Sequence, residues 1–162
     1  MKILVDADSC PRQARELVLR RAAKLKLRVI FAANRPIPCS PQANGSQADR
    51  VEGETAGVQM EICPVDDNSA DDRIVKLAEC GDLVITRDIP LAKRLVKKDV
   101  IALDDRGRVF NINNINELLS IRNFTVGLAE NGLGVQRTAG YGRRELKSFA
   151  DNLDRILSKH KS

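Results

Sequence analysis

The sequence predicts an α/β protein, specifically a three-layer α/β/α sandwich around a mainly parallel sheet. Apolar runs at 3–5 (ILV), 27–34 (LRVIFAAN) and 82–86 (DLVIT) have the length and continuity of buried strands. Segments with apolar residues at helical spacing stand between these runs. Strands that alternate with helices in this way build a parallel sheet covered on both faces.

The first half of the chain begins this alternation. Strands are predicted over residues 2–6, 27–34 and 57–64. Pro11 stands where the first helix begins, since a proline ring suits the first helical turn. The second helix starts in the acidic stretch 66–72 and ends at Gly81. Residues 35–50 are polar and contain several prolines, which predicts a surface loop.

The second half continues the alternation and closes with a long helix. Strands are predicted over 82–88 and 100–104, and helices over 89–99 and about 114–122. Residues 123–142 are glycine-rich, which predicts a flexible segment. Residues 143–159 form an amphipathic helix whose apolar face carries Leu146, Phe149, Leu153, Ile156 and Leu157. We therefore predict a single domain with a core over 1–122, the flexible segment and this C-terminal helix.

Composition excludes several classes of function. Of the 162 residues, 43% are hydrophobic and 30% charged, as in ordinary globular domains. Aromatic residues make up only 3%, so an aromatic platform for stacked nucleic-acid bases is not expected. The four cysteines are widely spaced and His160 is the single histidine, which argues against a structural zinc site. The net charge of +5 and pI near 9.2 favour a polyanionic partner.

The sequence also predicts where the protein works. No apolar run approaches the ~20 residues that a membrane helix needs, and Met1 is followed at once by a strand. Isolated cysteines are typical of reduced cytosolic proteins. We therefore expect a cytoplasmic protein with neither a membrane span nor a signal peptide.

Aspartates follow the predicted strands at one edge of the sheet. Asp6 and Asp8 end the first strand, and Asp88 ends the strand at 82–88. Because the carboxyl ends of parallel strands lie side by side, we expect these carboxylates to meet. Such a cluster is unfavourable without a cation, and oxygen ligands suit Mg²⁺ or Mn²⁺. A bound ion of this kind can hold a phosphate oxygen and activate a water for attack on phosphorus.

Several acids at this edge also have ordinary structural explanations. Asp71 and Asp72 open a helix, where the dipole favours acids. Asp104 begins the turn-like sequence DDRG, and Asp88 suits a helix N-cap. Asp6 is harder to explain in this way, because it directly follows an apolar strand. We expect the metal ligands to be Asp6, Asp8, Asp71 and Asp88, with Asp72 and Asp104 as further candidates.

Basic side chains are predicted near the same edge. We expect phosphate contacts from Arg12, Arg35, Arg87 and Arg106. Further arginines flank or lie in the glycine-rich segment, namely Arg122, Arg137, Arg143 and Arg144. Each alone is also compatible with solvated surface. Together they predict RNA or another nucleic acid as the partner, with the backbone positioned by charge.

Six short motifs resemble those of the YaiI/YqxD family of small bacterial proteins: VDADSCP, AANRP, ADDRIV, GDLVITRDIPLA, ALDDRG and FADNLDRIL. They are collinear and extend from Val5 to Leu157. The family is largely uncharacterised and is grouped with PIN-like nuclease domains. The resemblance implies an α/β/α sandwich whose acids bind a divalent metal for phosphodiester cleavage.

The resemblance also implies roles for individual residues. Asp6 matches the first-strand acid of PIN-like domains, and Asp8 is the extra acid of the family's opening motif. Asp71 matches the family's acid at the central helix. Thr86 and Asp88 match the T-x-D that ends a later strand. We therefore assign Asp6, Thr86 and Asp88 to catalysis.

The chain departs from the family pattern on the central helix. It has Asp72 and Arg73 where relatives often carry Asn and Glu. A fourth carboxylate would then come from Asp72 or Asp8. The predicted function is a divalent-metal-dependent nuclease that acts on RNA.

Two other functions fit many of the same residues. A haloacid-dehalogenase-type phosphatase needs two acids on the first strand, a phosphate-binding hydroxyl, a lysine and a metal-binding pair. The candidates are Asp6 and Asp8, Thr86, Lys93 or Lys97, and Asp104 with Asp105. Against this alternative, Cys10 stands where that class usually has Thr, and few residues separate Thr86 from Asp104. A non-catalytic PIN-like module would bind RNA without cutting it.

Overall fold

The structure is a computed structural model that describes residues 1–34, 57–65, 69–132 and 140–161. Its strands are β1 (Ile3–Asp6), β2 (Val29–Ala33), β3 (Val58–Ile62), β4 (Leu83–Ile85), β5 (Ile101–Leu103) and β6 (Val109–Phe110). Its helices are α1 (Arg12–Leu25), α2 (Ser69–Leu77), α3 (Ile89–Val96), α4 (Ile115–Glu130) and α5 (Arg143–Lys161). The loop predicted over 35–50 lies outside the described residues.

The strands form one mainly parallel sheet in the order β3-β2-β1-β4-β5-β6. Strands β1 to β5 run parallel to their neighbours, and β6 pairs antiparallel with β5 as the second strand of a hairpin. The chain moves outward from β1 through β2 to β3, and then returns to the other side of β1 with β4. In parallel α/β sheets, a crevice opens at the carboxyl ends of the strands where the order reverses in this way. Here that point lies between β1 and β4.

Helices cover both faces of the sheet, which confirms the three-layer α/β/α fold. Side chains alternate between the two faces along each strand, so neighbouring residues of β1 enter different cores. Ile3 and Val5 pack with α1 and α5, where Phe149 and Leu153 are fully buried. Leu4 enters the opposite core, whose helical contributions come from α2, α3 and the start of α4: Ile74, Leu91, Ala92, Leu95 and Ile115.

The fourth helix is longer than the sequence predicted. The glycine content placed its end near residue 122, whereas α4 continues to Glu130 and includes Gly127. One glycine costs only about 1 kcal/mol in a helix, and its neighbours Leu128 and Ala129 favour helix. The helix ends at Asn131, and Gly132 takes the left-handed φ of 71° that commonly follows a helix. The prediction for 114–122 was therefore wrong about the C-terminal boundary.

The turn between β5 and β6 packs tightly against α5. Gly107 has a φ of 91°, and a Cβ built on it would lie 2.6 Å from the carbonyl oxygen of Ser148. The Asn152 side chain donates a 2.7 Å hydrogen bond to the Gly107 carbonyl oxygen. This close approach fixes the turn that carries Asp104 and Asp105.

The described helices of this fold are those of a sheet-covering layer and not of a bilayer span. None of them, over the residues that the structure describes, is both long and apolar enough to cross a bilayer.

Candidate active site

The first candidate pair, Asp6 and Thr86, lies at the strand reversal between β1 and β4. Asp6 continues the alternation of Leu4, and Thr86 continues that of Val84, so both side chains point to the face covered by α2 and α3. The two strands pair with an offset of 80 residues, as in Leu4 opposite Val84. The same offset relates Asp6 to Thr86, which explains why residues so distant in sequence meet.

Two hydroxyl groups donate to one oxygen of Asp6. Its Oδ2 accepts from Ser9 Oγ at 2.9 Å and from Thr86 Oγ1 at 3.0 Å. Each hydroxyl oxygen in turn faces a backbone N–H, that of Arg87 at 3.3 Å from Ser9 and that of Asp88 at 3.0 Å from Thr86. Asp6 is only 6% exposed, and no described residue donates a hydrogen bond to its Oδ1. The carboxylate is therefore held on one oxygen and available on the other.

Asp88 caps the helix that begins directly after it. Its Oδ1 accepts a 3.0 Å hydrogen bond from the backbone N–H of Leu91, which confirms the predicted N-cap of α3. Its Oδ2 accepts no hydrogen bond from a described residue. The cap thus fixes the direction of the side chain and leaves one oxygen available beside Asp6.

Mutual repulsion shows that four of the predicted acids share one environment. Burial raises the pKa of Asp6, the hydrogen bonds from Ser9 and Thr86 oppose this rise, and the charges of Asp8 and Asp88 add to it. Burial, then the charges of Asp88 and Asp6, raises the pKa of Asp71 to about 6. The metal set predicted from the sequence, Asp6, Asp8, Asp71 and Asp88, is therefore electrostatically coupled.

Asp8 is exposed and joins the end of β1 to the end of β2. Its Oδ2 accepts a 2.9 Å hydrogen bond from the backbone N–H of Asn34. The side-chain oxygen of Asn34 is buried and has no hydrogen-bond partner among the described residues. Asp8 therefore has a structural role at the rim of the site, and its second oxygen stays available.

The two further acid candidates are engaged elsewhere. Asp72 is exposed and forms a 2.8 Å ion pair with Arg94. Asp104 is buried, and its Oδ1 accepts backbone N–H groups of Arg106 at 2.9 Å and Arg108 at 2.7 Å, as expected for a turn. Burial first raises the pKa of Asp104, and Asp105 adds to the rise. Neither carboxylate is among the charges that chiefly raise the pKa of Asp6.

The arginines predicted to contact phosphate differ in their surroundings. Arg87 forms a two-point ion pair with the buried Asp105, and Arg12 forms a 2.9 Å pair with Glu16 on the exposed face of α1. The backbone N–H of Arg106 belongs to the Asp104 turn. Arg35, like Arg137 of the glycine-rich segment, lies outside the described residues. The Arg87 guanidinium is therefore already bound to a carboxylate of the fold.

Two features of the site were missed by the sequence analysis. Ser9 was given no role, although it stands three residues after Asp6, the spacing at which a turn returns to its start. The Arg87–Asp105 pair follows from strand register, because β4 and β5 pair with an offset of 18 residues and Ile85 faces Leu103. The sequence alone does not predict this register, because it depends on which strands are neighbours in the sheet.

The donor set fits a hard divalent cation. Aspartate oxygens are the ligands that Mg²⁺ and Mn²⁺ prefer. Asp6 Oδ1, Asp88 Oδ2 and the Asp71 carboxylate have no hydrogen-bond partners among the described residues. Within this part of the chain, no three His, Cys, Asp or Glu side chains are already gathered at ligand spacing. Carboxylates repel one another without a cation, so binding would require these side chains to move closer together.

Residues 4–159 match the family model described as "Uncharacterized BCR, YaiI/YqxD family". The chain belongs to the YaiI/YqxD family. The UPF0178 protein of Treponema denticola is 42% identical over 159 residues, covering 98% of this chain and 93% of the relative. The UPF0178 protein of Treponema pallidum is 44% identical over 161 residues, covering 98% and 82%. A UPF0178 protein of Pseudomonas entomophila is 40% identical over 159 residues, covering 98% and 97%.

The YaiI/YqxD match confirms the family suggested by the sequence motifs. It includes every candidate acid, since all of them lie between residues 4 and 159. No solved structure matches this chain.

Proposed function

We propose that this protein is a PIN-like nuclease that cleaves RNA with Mg²⁺ or Mn²⁺. The observation that carries the proposal is the coupling of Asp6 to three other aspartates at the strand reversal, with Asp6 Oδ1 available. Neighbouring carboxylates that raise one another's pKa favour the presence of a cation. The net charge of +5 is compatible with a polyanionic substrate.

The proposed chemistry divides between the metal and the chain. Asp6, Asp71 and Asp88 would hold the ion, with Asp8 beside them. A bound divalent ion polarises a phosphate oxygen and lowers the pKa of a bound water. Thr86 orients Asp6 through its hydroxyl group, and the N-cap bond to Leu91 orients Asp88. Single-stranded RNA is the proposed substrate because Asp6 is only 6% exposed, and a flexible strand would reach a buried carboxylate more easily than a rigid duplex.

Several contacts favour a nuclease over a haloacid-dehalogenase-type phosphatase. The acids that would hold the phosphatase metal are engaged in the fold, Asp104 by its turn and Asp105 by Arg87. The Thr86 hydroxyl donates to Asp6 and not towards open space. Lys97 follows the last residue of α3, one helix length of about 12 Å from its N-terminus at the site.

We also propose that the protein works in the cytoplasm. The cysteines in the described residues, Cys10, Cys63 and Cys80, are free thiols, as is usual in a reducing compartment. Burial raises the pKa of Cys10 to about 12, so this thiol is a packing group and not a nucleophile.

The deciding experiment measures cleavage of an end-labelled single-stranded RNA with Mn²⁺, Mg²⁺ or EDTA. We expect metal-dependent cleavage by the wild type and at least a ~10²-fold slower rate for Asp6→Asn, because the metal loses a charged ligand. Asp151→Asn, an exposed acid on α5, serves as the matched control and should cleave like the wild type. Cleavage by Asp6→Asn at the wild-type rate would contradict the assigned site.

The same preparations distinguish the alternatives. A phosphatase would turn over small phosphate esters and form a beryllofluoride adduct on Asp6. A non-catalytic module would bind RNA in a salt-sensitive manner without cleaving it with any metal tested.

A further inference from the structure

We propose that Ser9 is a positioning residue that fixes the orientation of the Asp6 carboxylate for metal binding, an inference that rests on the proposed function. Ser9 lies in the turn after β1, whose first hydrogen bond runs from the Ser9 backbone N–H to the Asp6 carbonyl oxygen at 3.3 Å. This turn brings the Ser9 hydroxyl back to the side chain of Asp6.

The direction of the Ser9 hydrogen bond follows from its neighbours. The Arg87 backbone N–H can only donate, so the Ser9 oxygen accepts from it at 3.3 Å. The hydroxyl hydrogen is then free to be donated. Asp6 Oδ2 at 2.9 Å is a closer acceptor than the Asp6 carbonyl oxygen at 3.3 Å, and it carries charge. The hydrogen therefore goes to the carboxylate.

Thr86 reaches the same oxygen by the same arrangement. Its Oγ1 accepts the Asp88 backbone N–H at 3.0 Å and donates to Asp6 Oδ2 at 3.0 Å. Two donors from separate strand ends define the rotation of the carboxylate, which one donor alone would leave less restricted. Both donate to Oδ2, so Oδ1 is the oxygen of Asp6 that accepts no hydrogen bond from a described residue and is left for a cation.

Ser9 also links the two strand ends that form the crevice. It bonds to Asp6 at the end of β1 and to the backbone of Arg87 just after β4. The Arg87 side chain is anchored separately by Asp105, so its backbone N–H has a fixed position. A hydroxyl at position 9 is therefore supported on both sides, as expected of a residue that orients a ligand.

The test compares Ser9→Ala with Ser9→Thr, which keeps the hydroxyl, and with Ser120→Ala. Among the described residues, the Ser120 hydroxyl on α4 bonds to the Asn116 carbonyl oxygen of its own helix. Mn²⁺ affinity is measured by calorimetry on the full-length protein. We expect Ser9→Ala to bind at least ~10-fold more weakly, and Ser9→Thr and Ser120→Ala to stay within ~3-fold of the wild type. Wild-type affinity in Ser9→Ala would overturn the proposal.

A second measurement decides the role of Ser9 even if the wild type binds no Mn²⁺, a result that would defeat the proposed function. Crystal structures of the metal-free variants report the orientation of the Asp6 carboxylate. We expect one orientation in the wild type and Ser9→Thr, and a rotated or divided carboxylate in Ser9→Ala. An unchanged single orientation in Ser9→Ala would refute the positioning role.

Discussion

The Lys2 ammonium group lies 2.6 Å from a carboxylate oxygen of Asp82, at the end of the β1–β4 pair opposite to the candidate active site. The Lys2 backbone N–H also donates to Asp82 at 2.9 Å. This contact has the same 80-residue offset as the hydrogen bond between Thr86 and Asp6. Polar side chains therefore link β1 and β4 at both ends of the pair. The Lys2–Asp82 contact is structural, and the Thr86–Asp6 hydrogen bond lies in the candidate site.

The contact between Lys2 and Asp82 should contribute to stability in a pH-dependent way. Burial alone would raise the pKa of Asp82, but hydrogen bonds from Lys2 and from the Glu79 backbone outweigh it and lower the pKa. A carboxyl whose pKa is lowered by folding stabilises the fold at pH values above its pKa in the unfolded chain, which is about 4. This contribution is lost as the pH falls through the pKa of the folded protein. We expect Asp82→Asn to reduce the free energy of unfolding by about 2 kcal/mol at pH 7.

Urea denaturation of both proteins at pH 7 and below pH 4 checks this expectation. The gap between wild type and Asp82→Asn should narrow at the lower pH. Glu79→Gln is the control, because the exposed Glu79 carboxylate also contacts Lys2 and should contribute less than about 0.5 kcal/mol. A gap that is equal at both pH values would contradict the assigned charge state.

Asp71 should show the opposite pH dependence in the metal-free protein. Its pKa is raised to about 6, chiefly by burial and then by Asp88 and Asp6, so its contribution to stability is lost as the pH rises from about 4 through 6. In EDTA, Asp71→Asn should therefore raise Tm relative to the wild type more at pH 7.5 than at pH 5. A Tm difference that does not change with pH would show that Asp71 is not repelled by its neighbours.

Gly107 should not tolerate a side chain. Gly107→Ala combines a positive φ with a Cβ placed 2.6 Å from the Ser148 backbone, and we expect a loss of about 2–4 kcal/mol in the free energy of unfolding. Gly81 is the matched control, with a φ of 84° and no atom within 4 Å of an added Cβ. Gly81→Ala should cost only about 1–2 kcal/mol. Equal losses in chemical denaturation would mean that the collision is relieved by movement of α5.

Arg87 should act through Asp105 and not through nucleic acid. Arg87→Lys keeps the charge but loses the two-point geometry, so we expect a stability loss of about 1–3 kcal/mol. Arg12→Lys, at an exposed pair on α1, should be nearly neutral. RNA binding should keep its salt dependence in Arg87→Lys. A stable Arg87→Lys variant with weakened RNA binding would instead support the phosphate contact that the sequence predicted for Arg87.

The sequence was informative where one residue type has one physical reason to be present. Continuous apolar runs predicted the parallel strands, and Asp88 was predicted as an N-cap because acids accept the free N–H groups of a helix start. The choice of Asp6 depended on the cost of an acid beside a buried strand, and the structure places it at the strand reversal.

What the sequence did not reveal depends on strand order and register. The residues around Arg87 in the sequence do not indicate that its side chain pairs with Asp105, 18 residues later. Those around Ser9 do not indicate that its hydroxyl accepts a hydrogen bond from the Arg87 backbone N–H. The end of α4 was misjudged because neighbouring helix formers outweigh the intrinsic preference of one glycine. The sequence allowed Asp104 to be either a turn residue or a metal ligand, and its hydrogen bonds to the turn are visible only in the structure.

The strand order has a consequence for the order of events during protein synthesis. β1 is synthesised first, but its neighbour β4 is translated about 80 residues later. The hydrogen bond from Thr86 to Asp6 therefore cannot form until more than half of the chain has been made. The sheet face that packs against α1 and α5 lacks Phe149 and Leu153 until the last helix is made. The acids of the candidate site are therefore all present once Asp88 has been translated, whereas the core on the other face of the sheet is completed only when α5 is made, as translation ends.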